Sequence, residues 1–491
     1  MTVSIPRSPT PRTNMGRMYV DSAWVDGERP FVVRHKVTGE LLAEVARASR
    51  QQVALAVAAA RTSFEHHPLA PYARYEILHR AAALLGERRV PMIATMVAET
   101  GFTVSDCNGE VDRTIQTLLL SGEEAKRIHG EVVPIDGAPG MAHRMAFTVR
   151  MPRGVVVAIT PFNSPLNTVA HKVAPALAAG NTVVLKPASL TPLCAALFCE
   201  ILLDAGLPPG HLALVHGDGR DVGQWLTAEE TVDFYTFTGS TEVGRAIQQS
   251  IGLRRSSLEL GSIASTIVCD DADLEHALPR CVNASFRKAG QVCTSVQRLY
   301  VHRSIADSFA DMMVARVQSS AVGDPYDDTT LVGPMISESE AERASGWIGE
   351  AVSGGASLAT GGTRTGALVT PTILLGANAE MRVVKDEIFA PVISIMPFDS
   401  FDDALDQVNA SPFGLAAGVF TQDIDRAMVA GRRLRVGAVH INETSSSRVD
   451  LMPYGGVKDS GFGREGPRYA IQEMTEERLI TISLHGQRTV Q

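Results

Sequence analysis

Cysteine is scarce in this sequence, and its distribution excludes two common uses of the residue. The six cysteines stand at positions 107, 194, 199, 269, 281 and 293 of a 491-residue chain, which is too sparse for a disulfide scaffold. They form no cluster with metal-ligand spacing, so we expect no metal site. Four of them lie in apolar segments and are predicted to fill the core: Cys194, Cys199, Cys269 and Cys281.

The chain also lacks an excess of positive charge and a long apolar run. Its formal net charge is −9, and without a basic run it is a poor match for nucleic acid. No apolar run approaches the roughly 20 residues of a membrane helix, so no membrane partner is expected. Residues 1–20 hold arginines and prolines without an acid, which is more typical of a disordered tail than of a transit peptide. A reducing cytoplasm is the expected location.

What the chain does contain is an alternation of short aliphatic runs with longer helical segments. Helices are expected over 165–180 and 191–206. The aliphatic runs predict strands buried on both faces: "GVVVAI" (154–159), "TVVLK" (182–186), "LALV" (212–215) and "STIVC" (265–269). This order predicts βαβ units and an α/β fold with parallel sheets.

The chain divides into two such α/β series and two extra β segments. One series occupies 1–130 and 154–258, a second runs over 259–442, and the change falls near 259–270. Residues 131–153 resemble two strands, and 475–491 contain a solitary strand without a following partner. Because unpaired strands seek partners, we expect these β segments to pair between subunits of a homo-oligomer, a dimer or a tetramer.

Three reactive side chains stand next to predicted strand ends or glycine-containing turns. Asn163 follows a strand in "TPFNSP", Glu259 lies between two leucines in "LELGS", and Cys293 ends "KAGQVC". An amide can hold an oxyanion, a carboxylate in an apolar run should have a raised pKa, and an accessible thiol is a nucleophile. Taken singly, they could equally be a turn asparagine, a solvated glutamate and a core cysteine.

Two small-residue turns are candidates for phosphate binding. "FTGSTEVGR" (237–245) opens a helix whose free N–H groups would suit a pyrophosphate, although a plain N-terminal cap is the alternative. "GDGRDVG" (217–223) is a second glycine-rich turn that could be an ordinary loop.

Together with "PFNSPLN", "KPAS", "GQVCTS", "DEIFAPV" and "GGVKDSGFGREG", these stretches resemble the aldehyde dehydrogenase superfamily from about residue 18 to 485. The resemblance implies a Rossmann-like cofactor domain and a catalytic domain, both doubly wound parallel sheets, plus a small β oligomerisation extension. Residues 443–474 would return to the active site. The implied activity is the NAD(P)-dependent, non-acylating oxidation of an aldehyde to a carboxylic acid.

The resemblance assigns catalytic roles residue by residue. Cys293 would attack the aldehyde carbon, Asn163 and the Cys293 backbone N–H would stabilise the thiohemiacetal oxyanion, and Glu259 would activate water against the thioester.

It also assigns a cofactor slot for NAD or NADP. Lys186 would bind the adenosine ribose, Ser240 the pyrophosphate and Glu387 the nicotinamide ribose. Ser189 stands where NAD-dependent members often have a glutamate, so dual use of NAD and NADP is expected. The remaining predicted lining residues are Thr160, Pro161, Phe162, Gly219, Gly223, Phe237, Thr238, Gly239, Val243, Leu260, Gly261 and Phe389.

The sequence says less about the substrate than about the catalytic residues and the cofactor. Arg113 and Arg448 could clamp the remote acid of a short aldehyde, or they could form structural ion pairs. Ser164, Val292 and Thr294 are the other predicted substrate-binding residues, but Val292 stands where some relatives that act on anionic aldehydes carry an arginine, so the anion pocket is incomplete. The stretch 437–466 resembles members that act on lactaldehyde, glycolaldehyde, succinic semialdehyde or phosphonoacetaldehyde, with an aromatic aldehyde as an alternative. Ser262 replaces a glycine that is usual in the superfamily.

Three other functions stay open at this stage. The chain could be a Cys/Glu hydrolase acting as an esterase, a non-catalytic protein with the same fold, or a coenzyme-A-acylating relative. The presence of Glu259 favours hydrolysis over acylation.

Overall fold

The computed structural model describes residues 5–9 and 13–484 as a set of strands and helices in two main sheets and several small ones. The strands are β1 (Met18–Val20), β2 (Ala23–Val25), β3 (Phe31–Arg34), β4 (Leu41–Val45), β5 (Val132–Val133), β6 (Arg144–Pro152), β7 (Val155–Ile159), β8 (Thr182–Lys186), β9 (Leu212–Leu214), β10 (Phe234–Thr238), β11 (Arg255–Glu259), β12 (Ala264–Val268), β13 (Val296–His302), β14 (Ala321–Val322), β15 (Thr330–Val332), β16 (Ser357–Thr360), β17 (Arg364–Thr365), β18 (Leu368–Val369), β19 (Thr372–Leu375), β20 (Val392–Phe398), β21 (Phe413–Gly414), β22 (Ala416–Phe420), β23 (Ala438–Ile441), β24 (Val457–Lys458), β25 (Gly461–Phe462) and β26 (Thr475–Ser483). The helices are α1 (Arg50–His66), α2 (Pro71–Glu87), α3 (Arg89–Thr100), α4 (Val104–Ala125), α5 (Asn167–Ala179), α6 (Leu193–Asp204), α7 (Gln224–Ala228), α8 (Thr241–Ile251), α9 (Leu274–Phe286), α10 (Arg303–Gln318), α11 (Glu338–Ser353), α12 (Arg382–Lys385), α13 (Phe401–Asn409), α14 (Ile424–Arg433) and α15 (Pro467–Glu473).

The first main sheet has the order β2-β1-β9-β8-β7-β10-β11-β25, and its five central strands are parallel. Every residue of β7 and β8 is buried, because helices cover both faces of a parallel sheet. The aliphatic runs at 154–159 and 182–186 therefore form strands as predicted.

The direction of winding reverses at β7, and this creates the crevice in which the site lies. From β7 the chain passes through α5 to β8 on one side, whereas β10 pairs with β7 on the other side. Ligands bind beyond the carboxyl ends of the strands at such a reversal. Thr160 after β7 and Thr238 at the end of β10 mark this position.

The second main sheet has the order β16-β19-β20-β13-β12-β22-β23, with β16 antiparallel to β19 and the other pairs parallel. The chain crosses from the first sheet to the second between Glu259, the last residue of β11, and Ala264, the first of β12. It later returns, because β25 pairs with β11 in the register Glu259↔Gly461.

The expectation that the C-terminal β segment lacks a partner in its own chain is wrong. β26 pairs antiparallel with β6 over nine residues, from Thr475↔Pro152 to Ser483↔Arg144, and β5 pairs with the other edge of β6. Sequence reading missed the pair because more than 300 residues separate the strands. Residues 485–491 of the predicted segment lie outside the described residues.

The N-terminal stretch is more ordered than its composition suggests. β1 forms part of the first main sheet, and the Arg7 guanidinium contacts the Asp324 carboxylate at 2.6 Å. Residues 1–4 and 10–12 of the predicted tail fall outside the description. Over 5–9 and 13–484, none of the helices has the length and apolar character needed to cross a membrane.

Candidate active site

A cleft of about 1780 Å³ opens at the carboxyl ends of β7, β10 and β11 and reaches Cys293. This volume exceeds the roughly 300–1,000 Å³ of a typical small-molecule pocket, so there is room for a dinucleotide beside a small substrate. Every site residue predicted from the sequence lines the cleft except Ser189.

The loop that carries Cys293 has an unusual backbone. Lys288, Ala289 and Gly290 all lie in the left-handed region, with φ values of 52°, 53° and 67°. A Cβ on Gly290 would lie 2.1 Å from the carbonyl oxygen of Ala390, so only glycine fits there. Non-glycine residues in this region are strained, and such strain is held in place by surrounding contacts.

Gln291 supplies several of those contacts. Its Nε2 donates to the Lys288 carbonyl at 3.1 Å, and its Oε1 accepts from the Ile336 backbone N–H at 3.0 Å. Its own carbonyl accepts from Asn163 Nδ2 at 2.9 Å. The Asn163 amide is therefore fixed beside the nucleophile loop with one N–H still available.

A buried ion pair behind the loop holds both catalytic segments. Glu110 on α4 accepts from the backbone N–H groups of Leu166 and Asn167 at 2.9 and 3.0 Å, and it pairs with the Lys288 ammonium. Lys288 Nζ also donates to the Asn163 carbonyl at 3.0 Å. Burial alone would raise the pKa of Glu110, but the Lys288 charge and these hydrogen bonds lower it. Sequence reasoning missed Glu110, because its partners lie 56 or more residues away.

The thiol of Cys293 has a hydroxyl neighbour. Its Sγ lies 3.0 Å from Tyr454 Oη, and the guanidinium carbon of Arg448 lies 3.7 Å from the centre of the Tyr454 ring. Burial raises the pKa of the Cys293 thiol to about 11, although the Tyr454 hydrogen bond and the Arg448 charge act in the opposite direction. Cys293 itself is half-buried, and the other five cysteines are buried.

Glu259 at the end of β11 is only 3% exposed, and both of its carboxyl oxygens are buried without a hydrogen-bond partner among the described residues. Burial, and next the Glu465 charge, raise its pKa well above the usual value, which confirms the direction expected from the sequence.

Glu465 has the opposite environment. It accepts from Lys172 Nζ and from Arg448 Nη2, both at 2.9 Å. Burial opposes its ionisation, but these two cations hold its pKa well below the usual range. The pKa values of these two neighbouring carboxyls are thus shifted in opposite directions, which is typical of acid–base sites.

The other half of the cleft fits a dinucleotide. Thr160 Oγ1 and Thr238 Oγ1 are buried without a partner in the part of the chain that is described. The Lys186 amine is 5% exposed and has one long contact, 3.4 Å to the Pro187 carbonyl, and burial lowers its pKa to about 8. Buried polar groups of this kind need a bound partner, and ribose hydroxyls and phosphates would provide one.

Two glycines keep the slot open. A Cβ on Gly239 would lie 2.5 Å from the Phe237 ring, and one on Gly261 would lie 2.8 Å from Glu387 Oε2. Glu387 accepts from the Ser262 backbone N–H at 3.0 Å, and burial raises its pKa to about 7. Ser262 therefore leaves this backbone contact intact despite its side chain.

The remaining cofactor residues flank these groups. Ser240 caps α8 by accepting from the Val243 N–H, so the N-terminus of this helix faces the cleft. The Phe162 and Phe389 rings pack edge to face, with their centres 5.9 Å apart.

Ser189 does not line the cleft, and its predicted place there is wrong. Its hydroxyl donates to the Gly217 carbonyl at 2.8 Å. Asp218 and Arg220 line this end of the cleft instead, and Asp218 is paired with Arg47 at 2.9 Å. Sequence reasoning named Gly219 and Gly223 of the turn at 217–223 as lining residues but overlooked Asp218 and Arg220.

At the substrate end, the two predicted arginines line the cleft but are already paired. Arg113 contacts Asp450 at 2.8 and 3.3 Å, and Arg448 contacts Glu465. Arg113 and Arg448 therefore have the geometry of structural ion pairs, which was the alternative considered from the sequence.

A third arginine was missed. Arg287 lines the cleft and forms no ion pair within residues 5–9 and 13–484. Its Nη2 donates to Ser446 Oγ at 2.8 Å, and Ser446 Oγ lies 3.2 Å from Thr294 Oγ1. Arg287 stands only six residues before Cys293, and this short spacing was the signal in the sequence.

The sequence model of the aldehyde dehydrogenase family matches residues 24–480. The chain belongs to this family and is a nicotinamide-dependent aldehyde dehydrogenase. It is 48% identical over 467 residues to 3-sulfolactaldehyde dehydrogenase of Priestia aryabhattai, covering 95% of this chain and 98% of that protein.

Solved structures share the fold. Aldehyde dehydrogenase 21 from Physcomitrella patens, in complex with the reaction product succinate, has a TM-score of 0.93 and 36% identity, covering 96% of this chain and 99% of that chain. Betaine aldehyde dehydrogenase from Staphylococcus aureus, in complex with NAD+, has a TM-score of 0.92 and 30% identity, covering 96% of each chain.

We expect Glu110→Ala to lower the free energy of unfolding by about 3–5 kcal/mol, because it leaves the Lys288 ammonium buried without its partner. Urea unfolding measures this change. Glu123→Ala on the same helix is the control, since its exposed pair with Lys126 should contribute less than about 1 kcal/mol. Equal losses in the two variants would contradict the role given to Glu110.

Proposed function

We propose that this enzyme oxidises a short aldehyde with a remote anionic group to the carboxylic acid, with Cys293 as the nucleophile. The observation that carries the proposal is the position of the Cys293 thiol in a cleft that also holds the unpaired Arg287. Asn163, fixed beside the same loop, and Glu259, with an unsatisfied carboxyl, supply the other groups that the reaction needs.

The first chemical step is attack of the Cys293 thiolate on the aldehyde carbon. The carbonyl oxygen becomes an oxyanion, which the free N–H of the Asn163 amide and the Cys293 backbone N–H stabilise. Because the contacts of Gln291 and Lys288 fix Asn163 beforehand, little reorganisation is needed as this charge develops.

A bound nicotinamide supplies the hydride acceptor. Lys186, Thr160, Thr238, Glu387 and the N-terminus of α8 are the groups that would hold the dinucleotide. We infer that NAD and NADP are both used, because Lys186 and Arg220 line the end of the cleft near residues 217–223, and Asp218, the acid at that end, is already paired with Arg47.

Glu259 acts on the resulting thioester by accepting a proton from the attacking water. The raised pKa suits a general base near neutral pH, but Glu259 must first lose its own proton. Glu465 stays ionised and balances Lys172 and Arg448, so it is the second, non-titrating carboxylate of the site.

The chemistry of the substrate end favours an anion over an aromatic ring. Arg287, Ser446 and Thr294 present donors, whereas the charges of Arg113 and Arg448 are compensated by Asp450 and Glu465. A sulfonate or carboxylate would accept from these donors. The relative named for 3-sulfolactaldehyde and the neighbour solved with succinate both handle compounds with such a group.

The assembly and domain roles complete the proposal. We infer a first cofactor-binding domain, a second catalytic domain and an oligomerisation sheet of β5, β6 and β26. β26 lies at the end of that sheet, and Leu479 on it is 57% exposed, which supports a homo-oligomer. A cytoplasmic location stays a prediction from the sequence.

Cys293→Ala should abolish aldehyde-dependent growth of reduced-nicotinamide absorbance and leave dinucleotide binding intact, because only the attacking atom is removed. Cys281→Ala, a buried cysteine of α9, is the matched control and should keep turnover. Turnover by Cys293→Ala would refute the nucleophile. An ester hydrolase would cleave esters without any aldehyde-dependent change in nicotinamide absorbance.

Glu259→Gln should slow thioester hydrolysis about 100-fold or more, because the general base is lost. Stopped-flow absorbance should then show a burst of reduced nicotinamide followed by a slow phase. The wild-type steady rate should rise with pH through the elevated pKa of Glu259, since only the carboxylate accepts a proton. Glu477→Gln, at an exposed position of β26, should behave as wild type. An unchanged pH profile in Glu259→Gln would show that the base is misassigned.

Arg287→Met should raise KM for an anionic aldehyde about 30-fold, because a charged hydrogen bond to the substrate is lost. KM for a neutral aldehyde of the same length should change little, and steady-state kinetics with both substrates measures the difference. Arg280→Met is the control: Arg280 lies on α9, just before Arg287 in the chain, and is paired with Glu443. Equal effects on the two aldehydes would contradict anion binding by Arg287.

A further inference from the structure

Among the residues that the structure describes, the Tyr454 hydroxyl is the side-chain group within hydrogen-bonding distance of the Cys293 sulfur. Tyr454 is 8% exposed, and its Oη lies 3.0 Å from Cys293 Sγ. Two backbone hydrogen bonds to Glu465, of 3.1 and 2.7 Å, fix the segment that carries it. The contact is therefore built into the fold.

The face of the Tyr454 ring is covered by a cation. The guanidinium carbon of Arg448 lies 3.7 Å from the ring centre, and Arg448 is anchored in turn by Glu465 at 2.9 Å. A cation over the ring attracts the π electrons and makes the phenol O–H a stronger donor. Arg448 thus acts on the sulfur through Tyr454 as well as through its own charge.

The direction of the hydrogen bond depends on the state of the thiol. In the neutral pair either atom can donate, but a thiolate has no proton, so the tyrosine must then be the donor. Burial raises the pKa of Tyr454 well above its usual value, so it keeps its proton while Cys293 ionises. Hydrogen bonds to a charged acceptor are about twice as strong as neutral ones, and the contact therefore favours the thiolate.

The other charged groups that face Cys293 do not replace this contact. Glu259 and Glu387 act against ionisation of the thiol, and Arg448 acts in its favour. With burial also opposing the charge, the hydrogen bond from Tyr454 is the direct stabilising contact on the sulfur atom.

We propose that Tyr454 is a further catalytic residue, whose hydroxyl donates a hydrogen bond to the Cys293 thiolate and maintains the nucleophile for attack. The proposal rests on the proposed function, in which Cys293 is the nucleophile. The thiol proton passes to water in the cleft, Tyr454 keeps its own proton, and no bond of the tyrosine breaks.

The test is the pH dependence of Cys293 alkylation by iodoacetamide in the enzyme without added cofactor or aldehyde. Because the other five cysteines are buried, rapid labelling reports Cys293. In Tyr454→Phe, which removes only the hydroxyl, the midpoint should move to higher pH and the rate at pH 7.5 should fall about tenfold. Tyr300→Phe, a buried tyrosine outside the cleft, is the control and should keep the wild-type profile.

Two outcomes separate this proposal from the proposed function. If Tyr454→Phe has the wild-type alkylation profile while Cys293→Ala loses turnover, the role of Tyr454 is overturned and the nucleophile stands. If Cys293→Ala retains turnover, the proposed function fails. Urea unfolding of Tyr454→Phe and of the Tyr300→Phe control checks that both proteins are folded, and their midpoints should agree. A shifted alkylation profile in Tyr454→Phe alone then supports the proposal.

Discussion

The active site depends on how the charges of the buried carboxylates around the half-buried Cys293 sulfur are compensated. Glu110 and Glu465 are both buried, and each is kept ionised by cations in direct contact, Lys288 for the first and Lys172 with Arg448 for the second. Glu259 is buried without such a partner, and its pKa is raised well above the usual value. This unequal compensation fixes the loops in place and leaves the Glu259 carboxyl without a cation in direct contact.

The same distinction applies to the arginines of the cleft. Arg113 and Arg448 line it, but they are already paired with Asp450 and Glu465, so binding an anion there would disturb existing pairs, although the buried Arg448 Nε has no hydrogen-bond partner among the described residues. Arg287 has only the Ser446 hydroxyl as a side-chain partner in the described chain. Whether an arginine of the cleft can bind an anion thus depends on whether it is already paired with a carboxylate. The sequence does not show this pairing.

Local features of the site could be predicted from the sequence, and long-range ones could not. The strands β7 and β8 and the raised pKa of Glu259 follow from the composition of short stretches, whereas the place of Cys293 in the cleft follows from the family resemblance. The Glu110–Lys288 pair, the Tyr454–Cys293 contact and the β6–β26 ladder join segments that are far apart in the chain. Ser189 was misplaced because its hydroxyl satisfies the Gly217 carbonyl, a contact with no local signature.

The central claim is that oxidation proceeds through a covalent bond to Cys293. Enzyme quenched in acid during turnover of a short anionic aldehyde, then digested and analysed by mass spectrometry, tests it most directly. The account predicts the mass of the acyl group on the peptide that contains Cys293, together with reduced nicotinamide. Turnover with no acyl adduct on that peptide, or an adduct on another side chain, would contradict it.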